Sequence, residues 1–181
     1  ERRELQKQLA PKLAAHADNI NLNSALFERV EALYNQRDTL NLDAESLRLL
    51  EQTYTRFVRA GAMLNESDKA KIRKINEEHS TLTTQFSQNL LAESSNIAVV
   101  VEDEAELAGL SESQIKTAAE AASAAGHEGK YLISITNTTR QPVLASLENR
   151  ALRQRVWEAS AYRAQSGEFD NTEIIKRLAE L

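Results

Sequence analysis

Cysteine is absent from the 181-residue sequence, so disulfides and thiolate chemistry are excluded; this fits a reducing compartment. Proline occurs twice and glycine five times, too few for a chain rich in turns, and the scarcity favours helices. Long apolar runs are missing as well. The longest, Ile97–Val101, falls far short of the roughly 20 residues that a membrane span needs. An excess of positive charge is also lacking: the net charge is −5 and the pI about 5.4, which argues against nucleic acid or an anionic membrane as the main partner. The chain opens on Glu1 and stops inside a helical pattern at Leu181, so it reads as a piece of something larger. Its length suits one domain, or a domain with a short extension.

What is present is helical periodicity. Ile72, Ile75, His79, Leu82, Phe86 and Leu90 recur every three or four residues, which places them on one face of a long helix over Asn65–Glu93. Asn65 is positioned to cap its start, with Asp68 reciprocating as in a capping box. A stripe this long calls for several antiparallel neighbours, and Leu82→Asp is expected to unfold the bundle. Upstream, Leu5, Leu9 and Leu13 mark a first helix that Pro11 should kink or divide. Asn23 or Ser24 opens a second, to about Arg37. Asp43 caps a third, which Gly61 closes. Short connections among these predict an up-and-down arrangement.

Beyond Glu93 the β-branched run Ile97–Val101 reads as a strand that pairs with Tyr131–Ile135. Between them, Ser111 with Gln114 forms a capping box, and Leu110 with Ile115 the matching staple, at the head of an Ala-rich helix ending near Gly126. Asn137–Gln141 reads as a polar turn, with helix from Pro142 to about Arg163. Asn171 caps a last helix carrying Ile174, Ile175 and Leu178. The fold class is mainly α, an antiparallel helical bundle with a long central helix and a minor two-stranded β element. It divides into residues 1–94 and 95–181.

Chemistry is sparse. Helical zinc hydrolases place two histidines four residues apart, with a glutamate after the first. His16, His79 and His127 have no such partner. His127 is followed by Glu128, but in a glycine-flanked loop that reads as solvated. His79 sits on the apolar stripe as a core or boundary residue, and His16 near a helix C-terminus, where positive charge is favourable. No serine stands in a Gly-x-Ser-x-Gly elbow. Gly126–Lys130 lacks the glycine spacing and the hydroxyl of a phosphate loop. Arg150, Arg153, Arg155 and Arg163, interleaved with Glu148 and Glu158, read as a salt-bridged helix face, or alternatively as a grip on a carboxylate. The acidic run Glu102–Glu106 shows nothing that would bury it. No catalytic or metal-ligating residue is assigned, and substrate-binding residues stay open.

Particular wording carries more. Leu9–Ile20, Leu26–Val30, Phe57–Leu64 and Phe86–Leu90 resemble the N-terminal helical part of the thimet oligopeptidase and oligopeptidase A family of zinc metallopeptidases. Asn149–Arg153, the following Val156–Ala159 with Arg163, and Phe169–Ile175 are similar to later segments of it, and the likeness leans to the bacterial peptidyl-dipeptidase branch. The resemblance implies a mostly helical parent, its two halves flanking a channel that admits short, unfolded peptides. Zinc would be held by a His-Glu-x-x-His helix and a downstream glutamate, with the motif glutamate acting as base on zinc-bound water. No position here matches those residues.

The chain is therefore expected to be a non-catalytic part of the channel wall of a cytoplasmic zinc peptidyl-dipeptidase, which removes C-terminal dipeptides from short peptides. It would be inactive alone and bind no zinc. Its partner would be the remaining catalytic half, with no nucleic acid and no membrane. Uncovered apolar faces would promote self-association. The alternatives are a free-standing helical binding module and a fragment of an oligopeptidase A-type endopeptidase.

Overall fold

The computed structural model describes residues 1–94 and 97–181. The elements run α1 (Arg2–Asn21), α2 (Ser24–Asn35), α3 (Ala44–Ala60), α4 (Glu66–Ser94), β1 (Ala98–Val101), α5 (Glu112–Ala124), β2 (Tyr131–Ser134), α6 (Asn137–Ser146), α7 (Arg150–Ala161) and α8 (Thr172–Glu180). Short 3-10 turns lie at Arg37–Thr39, Glu104–Leu107 and Gly167–Phe169. The fold is mainly α with one small antiparallel sheet. It divides into two compact units, Glu1–Gln85 with Arg177–Leu181, and Phe86–Lys176.

Local side-chain chemistry sets most helix starts. The Asn23 carboxamide accepts from Leu26 N–H at 2.9 Å, and the Asp43 carboxylate from Glu45 and Ser46 N–H at 3.0 and 2.9 Å. Bonds from Ser46 hold the Asp43 carboxyl below the usual carboxylate range. At the head of α4, Asn65 Oδ1 takes the Asp68 N–H at 3.0 Å. The Asp68 carboxylate, however, accepts from the Asn65 side-chain amide at 2.8 Å, so this box closes through side chains. Gly61 ends α3 at φ +101°, where an L side chain would be strained. Pro11 does not divide α1, which runs uninterrupted through it.

In the first unit, α2 and α3 pack through an aromatic row. Phe27 stacks on Phe57 and on Tyr54, and Tyr54 lies parallel to Tyr34 with ring centroids 3.9 Å apart. The Arg37 guanidinium caps the row, 4.5 Å above the Tyr34 ring. Phe27, Phe57 and Ala62 form the buried cluster. The start of α4 is tied in by polar contacts. Lys69, only 2% exposed, donates to Ser24 Oγ at 2.5 Å and to Glu66 at 3.2 Å, and Asn76 donates to the buried Asp18 of α1 at 2.8 Å. Arg177 grips Glu78 with two bonds, at 2.5 and 2.9 Å.

The apolar stripe of α4 forms as a stripe but not as a core. Ile72, Ile75, Leu82, Phe86 and Leu90 are half-buried and His79 is exposed. Among the described residues, the buried members of α4 are Lys69 and Gln88. Periodicity specifies which residues share a face. It cannot specify how completely neighbours cover that face.

The second unit closes around the sheet. Ala98 pairs with Ser134, Val99 with Ile133, Val100 with Leu132 and Val101 with Tyr131. Val99, Val101, Ile133 and Ile135 meet Leu107, Val143, Leu147, Leu152 and Val156 in one buried cluster, with α5 and α6 against β2 and α7 against β1. Gly109, at φ +95°, lets the chain pass Ser146 closely: an added Cβ would sit 2.1 Å from that carbonyl oxygen. The capping box of Ser111 and Gln114 is present.

Three expectations are corrected in this unit. Asn137–Gln141 is not a turn but the first half of α6, because Thr136 and Thr139 form a reciprocal box, each hydroxyl accepting the other's N–H at 3.2 Å. Threonine in place of the usual Glu or Gln disguised it. The helical pattern from Pro142 to Arg163 is broken at residues 147–149, where Asn149 caps α7 by accepting from Leu152 N–H at 3.1 Å. Asn171 does precede α8, but its buried side chain faces α4 instead. It accepts from Asn89 at 2.9 Å and donates to the Phe86 carbonyl at 3.2 Å.

Candidate functional site

The histidines are dispersed. His16 is exposed within α1, five residues before its end and not at its C-terminus. His79 is exposed on α4, so the core or boundary placement on the stripe is overturned; the stripe is too thinly covered there to enclose an imidazole. His127 is exposed just past α5, its N–H donating to the Ala122 carbonyl at 2.8 Å. Glu128 beside it accepts from Ser123 Oγ at 2.9 Å. Among the described residues, no group of three or more His, Cys, Asp or Glu could hold a metal ion. Among the described residues, these side chains offer no donor set that fits a zinc ion.

The acidic run after β1 is exposed and locally tied. Glu102 pairs with Lys130 at 2.6 Å, and that bond lowers its pKa. Glu104 accepts from the Tyr131 hydroxyl, which raises the phenol's pKa. These contacts bracket the open end of the strand pair.

The arginine group is not the salt-bridged face expected. Arg153 reaches back to the Leu147 and Glu148 carbonyls, at 2.5 and 2.9 Å, and so satisfies the chain where α6 has just ended. Arg155 donates to the Val100 carbonyl at 2.5 Å and pairs with Glu106 at 3.6 Å. Arg163 donates to Ser94 Oγ at 3.2 Å, and Arg150 is exposed. Helical spacing put Glu148 and Glu158 within reach, but backbone carbonyls left open by the break at residues 147–149 compete for the same donors. Three of the four guanidiniums thus brace the sheet and helix ends.

One concave feature escaped sequence reasoning. A cleft of about 270 Å³ opens between α5, β2 and α6. Leu110, Ala118, Leu132 and Val143 make it apolar, and Ser113, Thr117, Thr138 and Thr139 give it hydroxyls. No charged side chain lines it. Its signal was the Thr136 box, without which α6 starts too late to form a wall. In the first unit a second apolar groove of about 320 Å³, lined by Leu33, Leu42 and Leu49, lies between α2 and α3.

Comparison with known proteins shows what the chain is similar to. No protein-family model matches the chain. It is similar along nearly its whole length to peptidases: 46% identical over 178 residues, 98% of this chain, to the dipeptidyl carboxypeptidase of Escherichia coli, and equally so to that of Salmonella typhimurium. It is 28% identical, over its full length, to oligopeptidase A of Haemophilus influenzae. The chain spans about a quarter of the length of these relatives, 26% of the first and 27% of the last. The resemblance read from Asn149–Arg153 and its companion segments thus rests on matches across the chain, to oligopeptidase A and more strongly to the dipeptidyl carboxypeptidase branch. No helix among the described residues is long and apolar enough to cross a membrane.

Proposed function

We propose that this chain is a non-catalytic, helical part of the channel wall of a zinc-dependent peptidyl-dipeptidase that removes C-terminal dipeptides from short peptides. The observation that carries the reading is 46% identity over 98% of the chain to a protein roughly four times longer. Zinc and its His-Glu-x-x-His ligands then belong to the remaining polypeptide, the chain's principal partner, and this stretch by itself is inactive. The parent works in the cytoplasm on peptides, not on nucleic acid or membranes. Residues 1–94 and 95–181 serve as successive segments of that scaffold.

The test uses a blocked tripeptide. The polypeptide translated through the frame downstream of Leu181 should release a dipeptide and lose that turnover to a chelator, while residues 1–181 with added zinc release none. Chelator-sensitive turnover by the short chain alone would sink the reading. A second reading, a helical module that binds another protein, is favoured by the leucines left exposed on α1 and around the α2–α3 groove. A stop codon directly after Leu181 would select it. An endopeptidase of the oligopeptidase A type would instead cut a long peptide internally, which product analysis distinguishes.

A further inference from the structure

Strand pairing leaves β2 with one open edge. Ile135 N–H donates to the Ile97 carbonyl at 3.2 Å across the sheet, so the odd-numbered residues of β2 aim their backbone groups at β1. Leu132 and Ser134 therefore turn theirs outward. On β1 the corresponding outward carbonyl, that of Val100, is taken by Arg155 at 2.5 Å. On β2 the Ser134 carbonyl accepts from Thr139 Oγ1. The Leu132 N–H, the Leu132 carbonyl and the Ser134 N–H meet no partner among the described residues. Leu132 and Ser134 also line the uncharged cleft beside α5 and α6.

A row of donor, acceptor and donor on a strand edge is the complement of another extended backbone. A helix has already used its backbone groups internally and cannot answer it. The walls carry hydroxyls and carbon but no charge, so a charged residue in the cleft would be desolvated without a counter-ion. We infer that the outer edge of β2, with this cleft, seats an extended, uncharged stretch of a peptide substrate as a third strand. This rests on the peptidase reading, from which the peptide comes, and adds to it a holding site on a segment without catalytic groups.

The probe is acetyl-Ala-Val-Ala-Val-Ala-amide, titrated into the ¹⁵N-labelled 181-residue chain. With only three open backbone groups, the expected dissociation constant is on the order of 1 mM. The Leu132 and Ser134 amide resonances should shift, and at saturation their hydrogen exchange should slow by about fivefold or more. The same peptide N-methylated on its edge-facing amides should do neither. Thr117→Arg, which fills the cleft from α5 without touching the strand, should weaken binding by about tenfold or more at an unchanged melting temperature. Thr117→Ser should bind as the parent chain does.

Absence of shifts at these two amides, or equal shifts with the N-methylated peptide, overturns the inference. So do concentration-dependent shifts without peptide, which assign the edge to a second copy. Protection of the same amides in the longer polypeptide before peptide is added overturns it too, by assigning the edge to the rest of that chain. Dipeptide release by the longer polypeptide is measured in parallel. Its absence with the amide shifts intact rejects the peptidase reading alone.

Discussion

The two compact units differ in how much of their apolar surface they manage to hide. In Phe86–Lys176 a closed cluster joins both strands to α6 and α7, and Leu152, Val156, Val101 and Leu107 are fully enclosed. In Glu1–Gln85 with Arg177–Leu181 the buried cluster is three side chains, Phe27, Phe57 and Ala62. Leu5, Leu9 and Leu13 stand exposed along one side of α1, and Leu33, Leu42 and Leu49 surround an open groove. Among the described residues, ten large exposed apolar side chains lie in the first unit and four in the second. The second unit holds a self-sufficient core. The first leaves much of its apolar surface open to solvent.

Breaking the closed core should have the largest effect. Leu152→Ala opens a cavity where no solvent reaches, at a cost of about 3–5 kcal/mol, and Gly109→Ala drives a Cβ into the Ser146 carbonyl at a cost of about 3 kcal/mol. Both should appear in chemical denaturation, with loss of amide protection confined to the second unit. Phe27→Ala, which removes the middle of the aromatic row, should cost about 3 kcal/mol and expose the α2–α3 amides while leaving the sheet protected. Leu82→Asp is milder than its place on the stripe implies, about 1–2 kcal/mol, because Leu82 is only half-buried. A complete loss of fold by circular dichroism would restore the stripe as the core.

Acid should act gradually and on both units. The carboxyls of Glu66, Glu78 and Asp68, bonded to Lys69, Arg177 and Lys71, have lowered pKa values, as do Glu102 and Asp170 in the second unit. A lowered folded-state pKa contributes stability above the unfolded value that is lost as pH falls through the folded one. The melting temperature should therefore stay flat above the ordinary glutamate value of 4.5 and decline below it. The smallest effect on stability belongs to the triple variant Leu5→Gln, Leu9→Gln and Leu13→Gln. These positions are exposed, Leu13 by 64%, so the melting temperature should hold while sedimentation shows less self-association.

Much of the fold was legible because its signals act over four residues or fewer. Asn23, Asp43, Asn65 and Ser111 cap the helices they were expected to, and Gly61 ends α3, since each satisfies an open backbone group within its own turn. The strands at Ala98–Val101 and Tyr131–Ser134 pair as expected for the β-branched run Ile97–Val101 and the segment Tyr131–Ile135. Illegible were the features whose partners lie far along the chain. Arg155 of α7 chose the distant Val100 carbonyl over neighbouring glutamates, and Asn171 turned to Phe86 and Asn89. The cleft beside β2 needs three elements at once.

By itself, the sequence determined where most helices and both strands lie, and through its wording the relatives it resembles. Only the tertiary structure decided which apolar face is enclosed and which strand edge stays open. Burial and edge pairing depend on neighbours brought in from distant positions, and periodicity along one element carries no record of them.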